Sequence, residues 1–273
     1  MGGHREVCET IAKRINVLGD FCGIRDVPLL NKDKLVDKYG FNQADVMVLF
    51  GGSIICGGDV LAEAMRQNIA KKYIIVGGAG HTTQTLRDWV HAKYPQIDTE
   101  EKPEAIVFNE YLKYKYGLEA DYLEVESTNC GNNITLLLSL LNERHIKCDS
   151  IILVQDASMQ RRMAATLRKY RPDITIINYA AYAIHIQEKE GLLCYVEDIE
   201  GMWDVDRYIS LLMGEIPRLT DDGGGYGPLG KGYIAHEEIP PSVEMAFTYL
   251  QGKYSHLIRK ANPEYANIKK YKC

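Results

Sequence analysis

Four runs in this chain, Val46-Met-Val-Leu-Phe50, Tyr73-Ile-Ile-Val76, Ile151-Ile-Leu-Val154 and Ile174-Thr-Ile-Ile177, are almost wholly apolar. A strand with one wet face alternates apolar and polar residues. A continuous apolar run needs cover on both faces, which parallel sheets obtain from helices laid on each side. Helix-length segments lie between the runs. Val60, Leu61, Ala64, Met65 and Ile69 share one helical face, as do Ile134, Leu137, Leu138 and Leu141, and as do Met159, Met163 and Leu167. A weaker strand candidate covers Tyr122 to Val125. The pattern predicts a doubly wound α/β core with a mostly parallel sheet over residues 45–198. Residues 1–44 carry a helical pattern (Val7, Ile11, Ile15, Leu18) that should pack on this core. Residues 199–273 read as a mostly helical C-terminal layer or subdomain.

With 273 residues, 46% of them hydrophobic, the chain can bury a core without disulfide staples. A formal net charge of −5 leaves no basic footprint, so the expected partner is a small molecule and not nucleic acid. Seven scattered cysteines with no C-x-x-C pair argue against a disulfide framework and a zinc ribbon, and point to a reducing, cytoplasmic setting. The histidines show no metal-ligand spacing, so no metal is expected. No apolar run approaches the roughly 18 residues of a membrane span, so no membrane association is expected.

Ligands of an open parallel sheet bind beyond the carboxyl ends of its strands. The residues there are Gly51, Gly52 and Ser53; Gly77, Gly78 and His81; Glu126, Thr128 and Asn129; Gln155 and Asp156. Glycine lets backbone approach a ligand, although a glycine pair also serves a plain tight turn. His81 after its glycine-rich turn is a candidate acid or base, or a locally bonded histidine. Thr128 or Asn129 should cap the following helix, which leaves Glu126 to accept from a hydroxyl or an amine. Ser158 reads as the N-cap of the next helix, placing Arg161 and Arg162 in its first turn, where the helix dipole disfavours cations. Either an acidic side chain or a ligand carboxylate or phosphate should compensate them. The strand-end glycines and Arg161 and Arg162 are expected to border one shared cavity, since the strand ends of one parallel sheet face the same side.

Gly225-Tyr-Gly-Pro-Leu-Gly230 matches G-x-G-x-x-G in letters only, because it follows no apolar strand and Pro228 spoils the helix start. The stretch Asp221-Asp-Gly-Gly-Gly-Tyr-Gly227 is either a lid that brings Tyr226 to the ligand or a surface turn between helices.

Several segments together resemble the YdcF-like branch of the SanA-like domain family: Leu49-Phe-Gly-Gly-Ser53, Val76-Gly-Gly-Ala-Gly-His-Thr82, Pro103-Glu-Ala105, Glu126-Ser-Thr-Asn-Cys-Gly-Asn132, Val154-Gln-Asp-Ala-Ser-Met-Gln-Arg-Arg162, Gly201-Met-Trp-Asp-Val-Asp-Arg-Tyr208 and Gly214-Glu-Ile-Pro-Arg-Leu219 through Gly230. The resemblance implies a Rossmann-like core with a helical C-terminal part, and binding of S-adenosyl-L-methionine. It also brings Glu104 forward as a second catalytic candidate beside His81. The chain departs from the family's Gly-Arg-Ser-Glu-Ala segment, reading Glu101-Lys-Pro-Glu-Ala105, with Lys102 in place of the arginine. Phe50-Gly-Gly-Ser-Ile54 also lacks the acidic glycine loop of ordinary methyltransferases. Two readings stand. One is a binding protein for S-adenosyl-L-methionine or a similar nucleoside; the other is a hydrolase or transferase acting on a phosphorylated or pyrophosphorylated metabolite.

Overall fold

The computed structural model describes residues 2–80 and 82–257, with side chains from residue 7 onward. Helices α1 (Gly2–Cys22) and α2 (Lys32–Tyr39) precede strand β1 (Ala44–Phe50). Then follow α3 (Cys56–Gln67), β2 (Ala70–Val76), α4 (Thr83–Lys93), α5 (Glu104–Tyr116), β3 (Tyr122–Glu124), α6 (Cys130–Glu143), β4 (Ser150–Val154), α7 (Gln160–Tyr170) and β5 (Thr175–Asn178). The chain continues through β6 (Ile186–Lys189), β7 (Leu192–Tyr195), α8 (Val205–Leu219) and α9 (Pro241–Tyr254).

The first five strands form one sheet in the order β3-β2-β1-β4-β5, and every pairing in it is parallel. The fold is Rossmann-like and doubly wound. Its two faces follow from period 2 along the apolar strands. Met47 and Leu49 of β1 point into a core shared with α3, α4 and α5, while Val46, Val48 and Phe50 point into a second core shared with α6 and α7. All seven residues of β1 are buried, as a central strand covered on both faces requires.

The N-terminal helix buries Ile11, Ile15 and Leu18, whereas Val7 of the same stripe is exposed. Together α1, α8 and α9 form the helical layer expected at the C-terminal part. Helices α2, α4 and α5 went unread in the sequence, as did the antiparallel hairpin β6–β7. Its turn, Glu190-Gly191, has φ of 56° and 81°, the left-handed pair that a two-residue hairpin loop needs. Asn16 of α1 clamps this hairpin to the layer. Its Nδ2 donates to the Ile186 carbonyl at 2.9 Å and its Oδ1 accepts from the Ile186 amide at 2.7 Å.

Candidate functional site

The chain runs from β1 outward to β2 and β3, then crosses back to β4 on the other side of β1. The connections therefore diverge between β1 and β4, which opens a crevice at their carboxyl ends. A small cavity of ≈ 10 Å³ lies there, about the room of one water molecule. Gly52 from the β1 turn, Gln155 and Asp156 from the β4 turn, Phe108 of α5 and Ala181-Tyr182 beyond β5 all line it.

The polar residues around the cavity are held by a network that begins well below it. Asp26 accepts from the Asn178 amide at 2.6 Å and from Asn178 Nδ2 at 3.0 Å. Asn178 Oδ1 accepts from Gln160 Nε2 at 3.2 Å, and Gln160 Oε1 accepts from the Gln155 amide at 2.9 Å. Gln155 Oε1 then accepts from the Asp156 amide at 2.6 Å. That bond fixes which end of the carboxamide is oxygen, and leaves the buried Nε2 of Gln155 with no acceptor among the described residues. Asp156 receives Ser158 N at 2.9 Å, Ser158 Oγ at 2.7 Å and Tyr182 Oη at 2.7 Å, all on Oδ1. Burial pushes the Asp156 carboxyl above the usual carboxylate range despite these donors. Burial pushes the Cys56 thiol, at the start of α3, up to about 12, so it is no thiolate nucleophile near neutral pH.

A second buried carboxyl, Glu104, opens α5 beside the ends of β1 and β2. Its amide donates to the Gly78 carbonyl at 2.9 Å and its Oε1 accepts from Thr83 Oγ1 at 2.7 Å. Burial raises its pKa, against the Thr83 hydrogen bond and the Arg87 charge, which favour the carboxylate. Gly51 and Gly77 make room for it. A Cβ on Gly51 would lie 2.8 Å from Glu104 Cβ, and one on Gly77 3.1 Å from it. Gly78 is glycine for another reason. A Cβ there would overlap the Ser127 carbonyl oxygen and sit 2.7 Å from that of Val125, while its amide donates to Ser127 Oγ at 3.1 Å. At Gly52 the nearest neighbour of a Cβ would be Gln155 Oε1 at 3.6 Å, an ordinary contact on the cavity side.

The other expected site residues separate into distinct places. Ser53 is buried in the β1 turn, and Asn129 caps α6 reciprocally with Asn132. Glu126 and Thr128 are exposed on the same loop. His81 lies outside the described residues. Ser158 is not the cap of α7: Met159 occupies that position without a side-chain cap, because the Ser158 hydroxyl is turned to Asp156. Arg161 and Arg162 do not line the β1–β4 cavity, contrary to the single shared cavity read from the sequence. Arg162 grips Glu215 of α8 through two bonds, Nε–Oε2 at 2.5 Å and Nη2–Oε1 at 2.9 Å. Arg161 meets Glu237 at 3.1 Å and covers the Phe21 ring, and Arg168 meets the same Glu237. The acidic compensation for α7 is thus supplied within the chain.

The glycine-rich loop is fastened by its own aspartates. Asp221 Oδ1 accepts from the Leu229 amide at 2.6 Å, and Asp222 Oδ1 accepts from Gly224 and Gly225 at 2.8 and 2.9 Å. Tyr226 packs edge-on against Tyr233, with ring centroids 5.2 Å apart, and is not among the cavity-lining residues. Tyr182, Thr83 and Ser127 went unread as site residues. Tyr182 could have been sought just past the end of β5, by the same carboxyl-end rule that found the others.

Among the described residues, no three His, Cys, Asp or Glu side chains come together as a metal site, and no helix is long and apolar enough to cross a membrane. No protein-family model matches the sequence. A solved structure, that of E. coli tRNA N6-threonylcarbamoyladenosine dehydratase, TcdA, in complex with AMP, is similar over 94% of this chain and 95% of that one, at 12% identity and a TM-score of 0.31. A likeness that slight carries no argument about what this chain binds.

Proposed function

We propose that the protein binds S-adenosyl-L-methionine or a similar nucleoside at the carboxyl ends of β1 and β4. The observation that carries the reading is the buried Nε2 of Gln155, a donor without an acceptor among the described residues, at the switch point of a parallel sheet. Such a group costs free energy in the folded protein unless something else receives its proton. Gly52 lines the same cavity and lies against the Gln155 carboxamide. The resemblance to the YdcF-like branch supplies the ligand's identity, and the scattered cysteines support a cytoplasmic setting. A nucleoside needs more room than ≈ 10 Å³, so binding requires the walls at Gly52 and Tyr182 to part.

A thermal-shift series with S-adenosyl-L-methionine, S-adenosyl-L-homocysteine, adenosine, AMP and sugar phosphates tests this, because a ligand of the folded state raises the melting temperature. Stabilisation by the adenosyl compounds supports the reading, and a response to sugar phosphates alone defeats it. The second reading, an enzyme acting on a phosphorylated or pyrophosphorylated metabolite, draws its support from Glu104. A buried carboxyl with a raised pKa can hold a proton to give to a leaving group.

A further inference from the structure

Gln155 and Asp156 are consecutive residues at the end of β4, and both line the cavity. Gln155 is 1% exposed, and its Oε1 is already occupied by the Asp156 amide, so Nε2 is the group it can offer. The three hydrogen bonds of the Asp156 carboxyl all fall on Oδ1, so Oδ2 is the oxygen it can offer. One free donor and one free acceptor therefore remain on two consecutive residues that line a space of ≈ 10 Å³. A single oxygen carrying one hydrogen satisfies both at once, accepting from Nε2 and donating to Oδ2. A fully ionised phosphate oxygen offers no hydrogen to Asp156, and the two arginines of α7, Arg161 and Arg162, are already engaged with Glu237 and Glu215.

We propose that this pair is a hydroxyl-recognition site, in which Gln155 Nε2 donates to and Asp156 Oδ2 accepts from one hydroxyl of the ligand. It rests on the nucleoside reading above only for the carrier of that hydroxyl, which is then a ribose hydroxyl. The site favours neutral hydroxyl-bearing compounds over phosphates. Tyr182 and Ser158 act as positioning residues, because their hydrogen bonds hold Oδ1 and leave Oδ2 for the ligand. The Asp156 charge also acts on the Cys56 thiol of α3, the Tyr195 hydroxyl of β7 and Tyr208 of α8, and Glu215 of α8 acts on Asp156; none of these groups is cationic.

The test is calorimetric titration of the full chain with adenosine, 2′-deoxyadenosine, 3′-deoxyadenosine, AMP and D-ribose. One of the two deoxy compounds should bind about 10- to 100-fold more weakly than adenosine, the effect of leaving a buried polar group unpaired. Gln155→Glu keeps the oxygen that receives the Asp156 amide and replaces the donor by an acceptor. It should weaken adenosine to the level of the affected deoxy compound and should not discriminate between the two. Gln155→Met, which carries no new charge, should do the same, and the thermal melts of both variants report whether the fold is kept. Equal affinity of all three nucleosides for the wild type overturns the hydroxyl assignment while leaving the nucleoside reading intact. Binding of D-ribose that depends on Gln155, with no response to any nucleoside, defeats the nucleoside reading and upholds the assignment. No binding of any hydroxyl compound overturns the assignment, as does a pair that holds one structural water only in a high-resolution structure with adenosine bound.

Discussion

Arg162→Ala should cost far more stability than an ordinary surface truncation. Its side chain is 12% exposed and that of its partner Glu215 is 7% exposed, and two short charge-assisted bonds join them. Truncation removes both bonds and strands the Glu215 carboxylate against α7, in a setting with little water to solvate it. The expected loss is about 3–5 kcal/mol, the range for breaking one side of a buried pair. At about 2–4 °C per kcal/mol for a chain of this size, the melting temperature should fall by roughly 6–20 °C. Denaturant unfolding of the wild type, Arg162→Ala, Glu215→Leu and the double variant Arg162→Met/Glu215→Leu measures it. The double variant should recover most of the loss, because no unpaired charge is then left behind. Arg161→Ala should cost less, since Arg168 still meets Glu237 after Arg161 is gone. A loss below about 1 kcal/mol in Arg162→Ala, the value of an exposed pair, would refute this reasoning. Adenosine affinity should stay unchanged in Arg162→Ala, and a tenfold fall (about 1.4 kcal/mol) would return Arg162 to the ligand site.

Glu104→Gln should stabilise the protein at neutral pH, because it keeps an acceptor for Thr83 Oγ1 and removes a carboxyl whose pKa burial raises above 4.5. The gain should vanish below the unfolded value, where both states hold the proton, grow as pH rises from the unfolded to the folded value, and be full above it; a variant that melts lower than wild type at neutral pH contradicts this. The Glu197 carboxylate, with help from Asp20, raises the pKa of His185 above 6.5. Its stabilising contribution is therefore full below that value and lost as pH rises through the folded pKa, so the melting difference between wild type and His185→Gln should be larger near about pH 6 than near about pH 9. Gly78→Ala should destabilise by at least about 1–3 kcal/mol, because the new methyl meets backbone oxygens that cannot move aside singly, whereas Gly52→Ala should melt as wild type and lose ligand affinity. Equal melts for the two alanine variants would show that the strand-end glycines are interchangeable.

The doubly wound sheet was legible because continuous apolar strands admit few architectures. Burial on both faces puts β1, β2 and β4 inside the sheet, while the fourth run forms the edge strand β5. The hairpin β6–β7 escaped because its strands are short and only one of their eight residues is buried. Its sole local signal was Glu190-Gly191. The arginines show a different limit. Sequence places two cations in the first turn of α7 and demands an acidic answer, but Glu215 lies 53 residues from Arg162 and Glu237 lies 76 residues from Arg161. Only the docking of the C-terminal layer brings them together, and no local spacing encodes that docking. Tyr182 reaches Asp156 across 26 residues by another route, because β5 pairs beside β4 and sets the two strand ends next to each other.

The strand-end glycines join these two cases. Read along the chain, Gly51, Gly52, Gly77 and Gly78 are equivalent, each following a buried strand. In the fold, Gly51 and Gly77 clear space for the Glu104 side chain, Gly78 admits the backbone of Val125 and Ser127, and Gly52 faces the cavity. Three of the four therefore serve packing at the carboxyl edge, and their packing holds Glu104 beside the site. A Cβ at any of the three would have to displace Glu104 or the β3 turn before it could affect a ligand. Gly52 differs because the atom a Cβ would meet belongs to Gln155, the residue whose buried donor lacks a partner. The carboxyl-end rule locates the site from sequence, while the contacts around each glycine decide which of them a ligand can touch.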